Sequence, residues 1–148
     1  MRGKKTIVIC SSGAFYKHVI EIADHLRKQD FNVVVPATAA MMLEAGDYDI
    51  NKFKTWRQNE KDLHIKVKRA EGHFDEVKKG DAILVVNDDK PGQPRYLGPN
   101  TIMEWGLAYH LKKSIFILNG VRKDHNAYEE VYSMSTAVLD GDLGKIKL

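Results

Sequence analysis

The chain has a single cysteine, Cys10, which excludes an internal disulfide and any metal site built from several thiolates. No apolar run approaches the roughly 18 residues that a membrane-spanning helix needs. The N-terminal MRGKK leads straight into a strand-like TIVIC, too short for the apolar centre of a secretory signal and without a cleavage-type ending. A soluble, cytoplasmic protein is therefore expected. Excess charge of one sign is also missing: the net charge is only +3, and the basic residues are scattered along the chain. That pattern argues against a nucleic-acid polymer or a membrane as partner, while mild positive charge suits a small anion. Neither GxGxxG nor GxxxxGK[ST] occurs, so neither dinucleotide nor P-loop chemistry is supported. The six histidines show no metal-ligand spacing, and neither a metal nor an organic cofactor is expected.

What remains is an ordinary globular composition, 43% apolar and 29% charged over 148 residues, enough for one cored domain spanning 1–148. Apolar runs of strand length alternate with helix-length segments. Strands are expected at Thr6–Cys10, Phe31–Val35, Asp81–Asn87, Ser114–Leu118 and Ala137–Leu139. The helical spacing of Phe15, Val19, Ile22, Ala23 and Leu26 predicts an amphipathic helix over Ala14–Gln29. A short helix is expected at Thr38–Leu43, capped by Thr38 and ended near Gly46. The charged Ile50–Lys79 stretch reads as mostly helical with a break near Gly72, and further helices fall at Pro99–Lys113 and Asn126–Met134. This rhythm predicts a single-domain α/β fold, flavodoxin- or Rossmann-like, with a five-stranded parallel sheet in the order 2-1-3-4-5 and helices on both faces. The switch point of that order lies between the first and third strands, where loops 10–17 and 87–100 meet, and ligands of open α/β sheets bind there.

Three groups of residues converge on that rim. The turn Cys10-Ser11-Ser12-Gly13 presents small residues at a helix start, where backbone N–H groups can hold an anion and Lys17 could add charge; a plain helix cap accounts for it equally. Asn87-Asp88-Asp89 follow an apolar strand directly, placed to bind hydroxyls or protonate a leaving group, or simply to end the strand in an Asx turn. They open a Pro/Gly-rich loop that runs through Gly98 to Asn100, and long loops in compact domains often carry function. Glu104 is a lone carboxylate among Ile102, Met103, Trp105, Leu107, Ala108 and Leu111, with Asn100 four residues earlier on the same face. On such a helix a carboxylate lies on an exposed stripe, pairs with a cation, or lines a pocket. His73, just before the third strand, is placed either to approach the site or, the favoured reading, to pack or lie on the surface, and Cys10 reads as a small buried residue.

Together these pieces resemble the nucleoside 2-deoxyribosyltransferase family, including relatives that hydrolyse the N-glycosidic bond of (deoxy)nucleoside 5′-monophosphates. The resemblance rests on the turn CSSGAF, the strand GDAILVVN and the helix NTIMEWGLAYHLKK, whose E-x-G-x-A core is Glu104-Trp105-Gly106-Leu107-Ala108. It implies that Glu104 is a nucleophile attacking the anomeric carbon, with an oxocarbenium-like transition state. It makes Asp88 or Asp89 the group that protonates the base or holds the sugar. Ser11, Ser12 and Gly13 would meet the sugar or a 5′-phosphate, with Ser12 the preferred phosphate contact, and Asn87, Gly98 and Asn100 join them as substrate contacts. It also implies a homo-oligomer. Two departures stand out: transferases of the family carry a tyrosine near the end of the first strand, where this chain has Ile7-Val8-Ile9, and the loop DDKPGQPRYLGPN is longer and more basic, with Lys90 and Arg95 available to phosphate. Both favour a nucleotide hydrolase over a transferase acting on free nucleosides. The rival from another class is a non-catalytic nucleotide-binding or sensor module on the same fold.

Overall fold

The computed structural model describes residues 3–148. Its centre is a five-stranded, all-parallel sheet in the order β2-β1-β3-β4-β5, the order expected from the sequence. The strands are β1 (Thr6–Ser11), β2 (Asn32–Val34), β3 (Ala82–Val86), β4 (Ser114–Ile117) and β5 (Ala137–Val138). The helices are α1 (Tyr16–Lys28), α2 (Ala37–Ala45), α3 (Ile50–Phe53), α4 (Leu63–Lys79), α5 (Pro99–His110) and α6 (Tyr128–Met134). No described helix is long and apolar enough to cross a membrane.

β1 and β3 are buried almost throughout, as runs of TIVIC and AILVV type require when both sheet faces are covered. Alternate residues serve the two layers. Ile7, Ile9, Leu84, Val86 and Phe116 pack with Val19, Ile22, Ala23 and Leu26 of α1 and with Met42 of α2. Val8, Cys10, Ile83, Val85, Ile115 and Ile117 face Val77 of α4, Trp105 and Ala108 of α5, and Val131 of α6. Each fully buried side chain of this size contributes roughly 1.5–3 kcal/mol.

Several boundaries differ from expectation, each for a local reason. Ser12 turns the chain into a short 3-10 segment, Gly13–Phe15, before α1 begins at Tyr16. In α2 the N-cap position is Pro36 rather than Thr38, which lies buried in the first turn; Gly46 ends the helix at φ 65°. The charged middle segment is interrupted earlier than Gly72, through which α4 runs on uninterrupted. The break falls at residues 54–62, where two 3-10 turns form. There the Asn59 side chain accepts from Lys61 N, while the Asp49 side chain accepts from Asn51 N at the start of α3. α5 is not buried all round: apolar Ile102 and Met103 are exposed, and its inward stripe is Thr101, Glu104, Trp105 and Ala108.

Candidate active site

β1 lies between β2 and β3, so the chain leaves its C-terminal end where the strand order reverses. Three segments meet around the opening. The first is the turn Ser11-Ser12-Gly13. The second is the loop from β3, folded by a Lys90–Gln93 bridge and by the Tyr96 N–H bond to the Asp88 carbonyl at 2.8 Å. The third is residues 54–57, carried over the rim by α3. Gly13 leaves room for this approach: a Cβ there would press on the end of the Ile50 side chain and come within 3.1 Å of Lys54 Nζ, so both side chains would have to shift. The half-open cavity between the three segments is about 330 Å³.

Glu104 reaches the cavity from α5. It belongs to the i, i+3, i+4, i+7 stripe that buries Trp105 and Ala108, so its carboxyl is carried inward by helix geometry and is only 7% exposed. One of its carboxyl oxygens, Cys10 Sγ and a His73 ring nitrogen all lie within 4.8 Å of one another. Burial pushes the Glu104 carboxyl up to about 7; a hydrogen bond from the Cys10 thiol and the positive charge of Lys54 oppose the rise. Burial, and then the charge of Glu104, push the Cys10 thiol above its usual range. The His73 imidazole is pushed down by burial. Its Nε2 lies 3.0 Å from the Ile9 carbonyl, an acceptor, which assigns the proton to that nitrogen, and 3.7 Å from Cys10 Sγ. Among the described residues, Cys10, His73 and Glu104 are the three side chains whose donor atoms could converge on one metal ion. Doing so through Nε2 would require His73 to lose that proton and its bond to Ile9.

Of the expected site residues, Ser11, Ser12, Gly13, Gly98, Asn100 and Glu104 line this one cavity. Asp88, Asp89 and Asn87 do not. The Asp88 carboxylate is drawn to His18 Nδ1 of α1 at 2.6 Å. Asp89 accepts from Arg95 N at 2.8 Å and faces a separate cleft of about 960 Å³ between the β3–α5 loop and the segment after β4. Asn87 is fully buried in a clamp with Asn119: its Nδ2 donates to Asn119 O at 2.8 Å and its Oδ1 accepts from Asn119 N at 2.9 Å. Lys17 is exposed on α1, and Arg95 pairs with Asp89, whereas Lys90 does line the cavity.

The sequence reading missed most of the remaining wall. Tyr16, buried at the start of α1, supplies a phenol that β1 itself lacks; burial and then the charge of Glu104 raise its pKa. Lys54 lies over the Tyr16 ring at 5.4 Å, its ammonium lowered to about 8 first by burial and then by Arg57. Lys66, Arg69, Ala70 and His73 all line the cavity from α4, and their i, i+3, i+4, i+7 spacing was the available signal. Trp56 and Thr38 complete the wall, with the Thr38 hydroxyl accepting from Arg69 Nη1 at 2.6 Å.

These features define a class: a doubly covered parallel α/β domain with a buried carboxyl in a cationic cavity at its switch point. No protein-family model matches the chain, and no curated protein matches it in sequence. Among solved structures it is similar to the Clostridium botulinum CMP N-glycosidase BcmB, at 15% identity and a TM-score of 0.51, over 92% of this chain and 89% of that one. At that identity the likeness establishes the shared fold.

Proposed function

We propose that this protein cleaves the N-glycosidic bond of a nucleoside 5′-monophosphate or nucleoside, with Glu104 as the nucleophile. The observation that carries the reading is the Glu104 carboxyl, buried at the switch point within a cavity whose other charged groups are cations. In the first step a Glu104 oxygen bonds to the anomeric carbon as the C–N bond breaks, and the electron pair leaves on the base. Water then cleaves the glycosyl ester and restores the carboxylate, or a second base does so by exchange. Because Asp88 and Asp89 are engaged outside the cavity, we assign protonation of the leaving base to Lys54, an ammonium inside it with a pKa of about 8. Trp56 offers an aromatic face to the base, and Ser12 and Gly13 offer the turn that would receive the sugar phosphate. The fold shared with a CMP N-glycosidase supports the same reading. The homo-oligomer implied by the family resemblance belongs to this proposal; Leu63 and Val67 of α4 and Ile102 of α5 are exposed apolar side chains available to it.

The test is incubation with nucleosides and their 5′-monophosphates, CMP among them, followed by chromatography for free base. Release by the wild type and its fall by roughly three orders of magnitude in Glu104→Gln is the expected result. Undiminished release by that variant contradicts the assignment of the nucleophile. Tight nucleotide binding without release would identify a binding module.

A further inference from the structure

The cavity carries more positive charge than glycosidic cleavage uses. With Lys54 assigned to the leaving base, Arg57, Lys66, Arg69 and Lys90 remain on the wall, contributed by three separate parts of the chain. Among the described residues, Glu104 is the only carboxylate there. None of the four takes part in an ion pair among the described residues. Where they have partners, these are neutral and orient them without cancelling charge. Arg69 donates to Thr38 Oγ1, Lys66 Nζ donates to Asn100 Oδ1 at 3.2 Å, and the Lys90 ammonium lies 3.9 Å from the centre of the Tyr96 ring. Burial, with Arg57 second, lowers the Lys90 ammonium, so the repulsion within the cluster is unrelieved. Like charges gathered in a half-enclosed cavity are held at a cost, and a bound anion offsets it.

Their placement is elongated. On α4 the lining residues Lys66, Arg69 and His73 follow one another along a single stripe, and at 1.5 Å per residue Lys66 lies about 10 Å from His73. His73 is beside Glu104, where the pentose must sit for attack. Arg69 comes next, opposite Thr38 at the start of α2, and Lys66 stands beyond it with Asn100. A single phosphate can be held by one or two of these groups, since one guanidinium already engages two of its oxygens. We propose that the substrate carries a chain of at least two phosphoryl groups, a nucleoside 5′-di- or triphosphate, laid along the Arg69–Lys66 stripe of α4 with Arg57 and Lys90 as further counter-ions. This rests on the glycosidic reading above and narrows its substrate class.

The experiment compares base release from the cytidine and adenosine series, each as nucleoside and 5′-mono-, di- and triphosphate, at constant ionic strength. Calorimetric binding of the same compounds to Glu104→Gln runs beside it. The expected result is a kcat/KM and an affinity for the diphosphate at least about tenfold above the monophosphate, with that ratio collapsing towards one in Lys66→Gln and surviving in Lys66→Arg. Circular dichroism verifies that the variants are folded. A monophosphate that is cleaved or bound as well as the diphosphate overturns this inference and leaves glycosidic cleavage standing. Absence of base release from every compound sinks the glycosidic reading, while the binding ratio on Glu104→Gln still decides the phosphate chain.

Discussion

Carried inward in the fold on the stripe Thr101-Glu104-Trp105-Ala108, Glu104 was legible in sequence as a lone carboxylate among apolar neighbours, with an exposed stripe, an ion pair and a pocket all open to it. Its immediate surroundings were not, since Cys10, His73, Tyr16 and Lys54 arrive from four separate elements that only the fold brings together. The raised carboxyl has a consequence for stability. A carboxyl whose folded pKa is about 7 against an ordinary 4.5 binds its proton more tightly in the folded state, so its contribution is complete below about 4.5 and is lost as the pH rises to about 7. Glu104→Gln should therefore match the wild type in stability near pH 4 and exceed it at pH 8, by an amount on the order of 3 kcal/mol, read from urea denaturation at both pH values. A constant difference across that range would rule out a raised Glu104 pKa in the folded protein. The same pair of groups sets the reaction window: Glu104 must lose its proton near pH 7 and Lys54 must keep its own up to about 8. kcat/KM should accordingly trace a narrow bell with its top between those values, and Lys54→Met should remove the alkaline limb.

Among the elements, β1 and β3 declared themselves as apolar runs, but the loop after β3 did not reveal its internal division. Asn87, Asp88 and Asp89 read as a polar trio poised over substrate; in the fold each is spent on architecture or a separate cleft. The Asn87–Asn119 clamp joins the C-terminal ends of neighbouring β3 and β4 and so fixes the floor from which the active loop starts. Because Asn87 is fully buried, Asn87→Ala leaves the Asn119 N–H and carbonyl without these partners and should cost about 3 kcal/mol in chemical denaturation, with Ser and Asp no better than partial replacements. A loss under 0.5 kcal/mol would mean that water takes over the clamp. Residues 54–62 were hidden for a different reason. Their charge suited a continuous helix, whereas in the fold backbone turns, with side-chain caps from Asp49 and Asn59, break it and bring Lys54, Trp56 and Arg57 to the cavity.

At the scale of the molecule, the strand order follows from few alternatives. Parallel strands buried on both faces need helical crossovers, and a chain that alternates strand and helix has a small set of ways to arrange five of them. That order puts the ends of β1 and β3 side by side, and everything proposed about function depends on this adjacency. The most direct measurement of the central claim is mass spectrometry of enzyme quenched with acid during turnover. The account predicts that the peptide containing Glu104 gains the mass of the substrate's sugar moiety, phosphate included, and that the gain is absent from Glu104→Gln. Steady release of base with that peptide unmodified, and the sugar found on another residue, would contradict it.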